Sequence, residues 1–189
     1  MSEITSLHKG RFLELKRDGN WEYVRRVKAS GAVVMIAVTP AQELVLVQQM
    51  RMPLQGNSIE LPAGIVGDSD LLADEGFEVA ALRELLEETG FRGSSAGIVT
   101  QGPTAAGMSS ELLTFVRITD LVREHAGGGV DGEDIKVHLV PLAEVHPWLE
   151  ARRAEGYFIE PRIYAGLWFA ANPQVQGTSG QSSQSRPSE

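Results

Sequence analysis

Glu75-Gly-Phe-Glu-Val-Ala-Ala-Leu-Arg83-Glu84-Leu-Leu-Glu87-Glu88-Thr-Gly90-Phe91 is the stretch on which the reading of this chain turns. The spacing predicts a helix from about Phe77 to Thr89, ended by Gly90, a residue suited to a left-handed C-cap. Glu84, Glu87 and Glu88 stand three and four residues apart, so their carboxylates share one helical face. Val79, Leu82 and Leu86, flanked by Leu85, are expected on the opposite, core-facing side. Two carboxylates about 5 Å apart repel by roughly 3 kcal/mol at an effective dielectric near 20. A divalent cation removes that penalty, and all-oxygen ligands suit magnesium or manganese. The competing reading of such a run, taken alone, is a solvated acidic face.

The pattern Glu75-x7-Arg83-Glu84-Leu85-x-Glu87-Glu88-x-Gly90-Phe91 resembles the box of the Nudix hydrolases, and this decides between the two readings. The resemblance implies a hydrolase, dependent on Mg2+ with Mn2+ as the alternative, that cleaves a diphosphate linked to a nucleoside. Glu84, Glu87 and Glu88 become the candidate metal ligands. Arg83, which reaches Glu87 at i+4, becomes the residue that holds the carboxylates in place, and Arg83 and Glu87 count among the candidate catalytic residues. The family's box opens with a glycine where this chain has Ser69. The nearest candidate is Gly64, eleven residues before Glu75, so the intervening loop is longer here. Its acidic residues Asp68, Asp70 and Asp74 read as solvated loop charge.

Three further segments extend the resemblance toward the ADP-ribose pyrophosphatase branch. In Gln48-Gln49-Met50-Arg51-Met52-Pro53 and Glu60-Leu61-Pro62-Ala63-Gly64, the resemblance places Arg51 on the substrate diphosphate, Glu60 facing the pocket and the Ala63 carbonyl on the metal. An arginine fork suits phosphate oxygens, although a surface ion pair is the plainer role. Gly107-Met108-Ser109-Ser110-Glu111 resembles a Gly-aromatic-Ser-x-Glu segment with Met108 in the aromatic position, and it nominates Glu111 for a sugar hydroxyl. Gly127 to Gly132 matches G-x-G-x-x-G literally, but a strand rather than a helix is expected to follow, which rules out a dinucleotide fingerprint. The run instead resembles the branch's mobile acidic loop, with Glu133 the candidate general base ahead of Asp134. Trp21 and Tyr23 are expected on one strand face, where they would stack on a base or ribose, or else pack in a core or dimer. The resemblance implies a homodimer built with the N-terminal strands.

Composition bounds the rest. A chain of 189 residues with 42% hydrophobic content suits one principal core. The absence of cysteine excludes disulfides and thiolate chemistry and fits a cytoplasmic setting. No signal pattern and no apolar run of spanning length is evident, so no membrane partner is expected. A net charge of −8 argues against nucleic acid as a partner. His8, His125, His138 and His146 lack metal-ligand spacing, and neither a Gly-Lys-Ser/Thr loop nor a Gly-x-Ser-x-Gly elbow occurs.

Asp18-Gly19-Asn20 predicts a hairpin within residues 10–29. Gly31 to Val38 reads as a strand buried on both faces, Glu43 to Met50 as its neighbour, and Ser58 to Leu61 as a short strand. Strands are expected near 96–101, 111–118 and 135–140, and helices near 142–154 and 161–171, with Pro147 starting or kinking the former. The chain divides into N-terminal strands (1–30), a catalytic domain (31–171) and a tail (172–189) whose composition predicts disorder. The fold class is α/β (α+β), which the resemblance sharpens to a helix–mixed sheet–helix sandwich with an N-terminal antiparallel hairpin. The expected partner is a small nucleoside diphosphate sugar, foremost ADP-ribose giving AMP and ribose 5-phosphate. The alternatives are a GDP-mannose or other nucleotide-sugar pyrophosphatase and, from another class, a non-catalytic ligand sensor with the same fold.

Overall fold

A computed structural model describes residues 4–67, 72, 74–130 and 132–175. Ser69, Asp68, Asp70 and most of the tail lie outside the described residues. The chain opens with a three-stranded antiparallel meander, β1 (Ile4–Lys9), β2 (Leu13–Asp18) and β3 (Trp21–Arg26). The turn between β2 and β3 falls where Asp18-Gly19-Asn20 predicts it, with Gly19 at φ +57. β1 carries no hydrophobic alternation, and sequence reading missed it.

β4 (Gly31–Ala37) is buried at all seven positions, as an uninterrupted apolar run requires. A turn at residues 38–42, with Gln42 at φ +61, leads into β5 (Glu43–Arg51), and β6 (Gly56–Glu60) follows. β7 (Ala63–Val66) begins just past Pro62, where the sequence suggests that a strand simply stops. The main helix α1 (Phe77–Thr89) is followed by β8 (Phe91–Arg92), β9 (Ser95–Pro103), β10 (Leu112–Thr119), β11 (Val122–Arg123) and β12 (Lys136–Pro141). α2 (Val145–Ala154), β13 (Phe158–Ile159) and α3 (Arg162–Ala171) complete it. Pro147 sits in the first turn of α2, where a missing N–H costs nothing.

The sheet layer is split into two four-stranded sheets, ordered β7-β4-β10-β9 and β12-β5-β6-β13. Each is mixed: β10 runs parallel to β4, and β13 parallel to β6. Strand alternation divides the core. Val33, Met35 and Ala37 face a cluster with Ala80, Ala81 and Leu85 of α1, whereas Ala32 and Val34 face one with Val145 and Leu149 of α2 and Ile163 of α3. The layers are therefore helix, sheets, helices. Among the described residues no helix is long and apolar enough to cross a membrane.

The buried stripe of α1 differs from the expected one. Val79 is 60% exposed, while Ala81, Leu85, Glu88 and Thr89 are buried. Leu82 packs only partly against the core. The reason is that α1 turns part of its acidic edge inward. Glu88 lies on the buried side next to Leu85, so the acidic and apolar faces are neighbours rather than opposites. Leu85→Ala is expected to cost about 2–5 kcal/mol of unfolding free energy, and Val79→Ala less than about 0.5 kcal/mol, by denaturant titration.

Candidate active site

The C-terminal half of α1, the start of β7, the β5–β6 pair and the 127–133 loop meet at a cleft of about 650 Å³. Arg51, Glu60, Ala63, Glu84, Glu88, Glu111 and Glu133, seven of the residues nominated from sequence, line it together. Glu88 is the most deeply placed acid among them on α1, at 5% exposure, and one of its carboxylate oxygens accepts the Ala63 N–H at 3.0 Å. That amide is available because Met35 N–H bonds to the Pro62 carbonyl, leaving the peptide groups of Ala63 turned away from β4. Burial is the main reason that the Glu88 carboxyl is pushed up to about 8. The Ala63 hydrogen bond opposes the shift, and the charges of Glu84 and Glu133 reinforce it.

Glu84 lies directly over the β7 backbone. A Cβ at Gly64 would fall 2.1 Å from its Cγ and Cδ, so only glycine admits it there. This assigns Gly64 a steric role in the box despite its displacement along the sequence. Arg83 offsets the crowding. It bonds Glu75 through Nε and one terminal nitrogen, both at 3.0 Å, while its other terminal nitrogen lies 3.1 Å from Glu84 and 3.0 Å from Glu87. Glu75, the first residue of the motif, thereby anchors the guanidinium. Glu87 is held by Arg83 at the edge of the helix and is not part of the cleft lining.

The acidic loop is fastened to the same helix. Gly128 N–H donates to the Glu88 carbonyl at 2.9 Å and Gly129 N–H to the Glu87 carbonyl at 3.1 Å, satisfying orphan carbonyls at the helix end. Gly127 packs so closely that a Cβ would stand 2.5 Å from the Glu88 carbonyl, and it and its neighbours Gly128, Gly129 and Gly132 all have positive φ. The glycine run is thus a cap of α1 that delivers Glu133 to the cleft, where its Oε2 accepts the Val130 N–H at 3.2 Å. Asp134 is not among the lining residues.

On the opposite wall Arg51 forms a forked pair with Glu60, Nε to Oε1 at 2.7 Å and a terminal nitrogen to Oε2, which raises the guanidinium pKa. The expected strand-end glutamate is therefore the positioning partner of the expected phosphate ligand. Arg26 and Arg162 also reach the cleft, paired with Glu111 and Glu160 respectively, and sequence reading missed both. Arg26 arrives because Val24 N–H bonds the Met108 carbonyl at 2.9 Å, docking β3 on the 105–110 loop. No sequence spacing announces that contact. Trp21 and Tyr23 do not line the cleft of this chain, and Trp21 is 61% exposed beside the hairpin turn.

The donors fit a hard divalent cation: Glu84, Glu88 and the Ala63 carbonyl are all oxygen, and the buried Glu88 carboxylate is short of positive charge. Among the described residues no three acidic, histidine or cysteine side chains already form a closed cage, so backbone oxygen and water would complete a ligand set. Because the folded-state pKa of Glu88 is raised above its ordinary value, its contribution favours the fold below about pH 4.5 and is lost as pH climbs through about 8. In chelator-treated protein, the melting temperature of wild type relative to Glu88→Gln should fall steadily between those limits. A flat difference would contradict the charge deficit.

The sequence profile of the NUDIX domain matches residues 29–159. The methanol dehydrogenase activator of Bacillus methanolicus is 33% identical over 138 residues, covering 73% of this chain and 68% of its own length. The ADP-ribose pyrophosphatase of Bacillus subtilis is 33% identical over 127 residues, 67% of this chain and 66% of the relative, and the ADP-sugar pyrophosphatase of Mus musculus is 31% identical over 161 residues, 77% and 71%. The matched part spans about two-thirds of these relatives. A crystal structure of an ADP compounds hydrolase superposes with a TM-score of 0.66 at 20% identity, over 92% of this chain and 95% of that one, a likeness of fold. With the profile spanning most of the chain, and Glu84 and Glu88 of the box lining one cleft with Ala63 and Gly64, the chain belongs to the Nudix hydrolase family.

Proposed function

We propose that this chain hydrolyses the diphosphate bond of a nucleoside diphosphate sugar, foremost ADP-ribose to AMP and ribose 5-phosphate, with Mg2+ as its ion and Mn2+ as a substitute. The observation that carries the reading is the cleft in which buried Glu88, Glu84 and Glu133 face Arg51. Glu84, Glu88 and the Ala63 carbonyl would hold the cation, with Glu87 in reserve at the helix edge. When bound, such an ion lowers the pKa of water and neutralises charge on phosphate oxygens.

The chain's own residues do the remainder. Arg51, aimed by Glu60, meets the non-bridging oxygens of the diphosphate with a planar fork. Its charge is fixed, so it stabilises charge that builds on the departing phosphate without prior rearrangement. Glu133 accepts a proton from the attacking water; the new P–O bond forms as the bridging P–O bond breaks, and the leaving phosphate takes the electron pair. Arg83 keeps Glu84 and Glu87 from swinging toward solvent. Glu111 and Arg26, joined across the far side, offer hydrogen bonds to a sugar. No covalent enzyme intermediate is needed.

The GDP-mannose pyrophosphatase of Cronobacter sakazakii, 32% identical over 119 residues, keeps the guanine nucleotide sugar as the second reading. A panel of nucleotide sugars with magnesium, read by product identity, separates the two, and an inert panel would favour a ligand sensor. Exposed Ile4, Phe12 and Trp21 on the N-terminal meander suit a homodimer, which sedimentation of the intact chain would show as twice the monomer mass. The absence of cysteine suits a cytoplasmic location.

Glu88→Gln is expected to lower metal-dependent turnover at least about a thousandfold while the far-ultraviolet spectrum persists. Near-normal turnover would remove Glu88 from the site. Gly64→Ala, by driving Glu84 off the backbone, should weaken metal affinity as well as turnover, and unchanged magnesium activation would contradict the steric role assigned to that glycine.

A further inference from the structure

The consecutive glycines Gly127, Gly128 and Gly129 pack on the end of α1 and lead to Glu133, with φ at +78, +126 and +82. Residues without side chains have the widest choice of backbone conformation, so bonds from outside must fix them. Two of those bonds come from α1 itself, through the Glu88 and Glu87 carbonyls. The third does not. The Gly127 N–H donates to Nδ1 of the His125 imidazole at 3.1 Å. Nδ1 accepts only in the neutral ring that carries its proton on Nε2, so this bond defines the tautomer.

The imidazole stands on a rigid mount. The N–H groups of His125 and Glu124 both point to the Gly90 carbonyl, at 3.4 and 2.8 Å. A Cβ at Gly90 would fall 2.1 Å from the His125 carbonyl oxygen, so the segment lies directly on the glycine that ends α1. Arg123 Nε donates to the same His125 carbonyl at 3.2 Å, and its guanidinium lies 5.5 Å from the centre of the buried Phe91 ring. The backbone of His125 is thus tied to the helix end, while its exposed ring turns back on the first glycine of the loop.

Beyond Gly127 the path to the cleft is short. Gly128 is held on both sides, its N–H by the Glu88 carbonyl and its own carbonyl by the Ile135 N–H at 3.2 Å. Glu133 lies inside the loop closed in this way, packed so near Gly129 that a Cβ there would stand 2.5 Å from its Oε2. A change in the Gly127 dihedrals therefore turns the loop as a unit, and with it a carboxylate that lines the cleft.

We propose that His125 is a positioning residue of the hydrolytic site: its Nδ1 fixes the hinge of the glycine loop and thereby holds Glu133 at the cleft. The assignment rests on the hydrolytic reading above and deepens it. His125 is not part of the cleft lining and acts through the loop alone.

The test compares full-length wild type with His125→Ala, His125→Leu and His125→Asn. Asparagine puts Oδ1 where the imidazole has Nδ1 and accepts the same hydrogen bond, whereas leucine keeps bulk and accepts nothing. With ADP-ribose and magnesium, the alanine and leucine variants should lose about fivefold in kcat, the weight of one neutral hydrogen bond. Their KM and the magnesium concentration for half-maximal rate should stay within about twofold of wild type, and asparagine should restore kcat. Nitrogen–proton NMR should show the Gly127 and Gly128 amides exchanging with water about fivefold faster in the alanine and leucine variants, and at the wild-type rate in the asparagine variant. An undiminished kcat in His125→Ala, rescue by leucine, or amide exchange unchanged by alanine would overturn the hinge while leaving hydrolysis intact. Failure of the wild-type protein to hydrolyse any nucleoside diphosphate sugar would instead overturn the functional reading and the positioning role with it, even where amide exchange bears out the bond.

Discussion

One guanidinium makes the acidic helix tolerable. Arg83 touches Glu75, Glu84 and Glu87, so a single cation spreads over three carboxylates along the edge of α1. A helix bearing three acids in two turns would otherwise expose them to water, where their repulsion is screened. Arg83 lets the chain do the opposite and turn that edge toward the sheet. Glu88 is then carried inward, where burial pushes its carboxyl up to about 8. In the cleft the Ala63 N–H and the charge of Arg51 only partly offset that burial.

The two walls of the cleft answer each other. The helix wall concentrates negative charge, while the β5–β6 wall presents Arg51 in a fork already locked to Glu60. Each glutamate–arginine pair around the cleft (Arg51 with Glu60, Arg26 with Glu111, Arg162 with Glu160) fixes a long side chain at the cost of some of its positive field. Such pairs add little stability where they are exposed; their value here is orientation. An anionic substrate meets arginines that need not search for a conformation.

Much of this was legible in the sequence because it rests on local spacing. The helix of the box, the hairpin at Asp18-Gly19-Asn20 and the doubly buried β4 follow from periodicity and turn chemistry. The nominated Arg51, Glu60, Ala63, Glu84, Glu88, Glu111 and Glu133 converge on one cleft. What escaped depends on partners distant in the chain. The buried stripe of α1 could not be assigned from hydrophobicity alone, because Glu88 occupies a core-side position that a periodic pattern reserves for apolar residues. Arg26 and Arg162 gain their places through the docking of β3 on the 105–110 loop and through two-residue β13, whose pairing with β6 has no signature of its own. Trp21 and Tyr23 share a face of β3 that lies off the cleft of their own chain.

The glycine cap on α1 also bears on how such a chain can diverge. Its amides close off the helix at Glu87 and Glu88, and Ile135 rejoins the packed interior with its N–H bonded back to the Gly128 carbonyl at 3.2 Å. Insertions or deletions at the tip would therefore lengthen or shorten the arm that carries Glu133 without disturbing the acidic edge of α1. The segment that brings Glu133 to the cleft can thus change while the carboxylates of α1 keep their places. That separation gives a single scaffold room to explore many diphosphates.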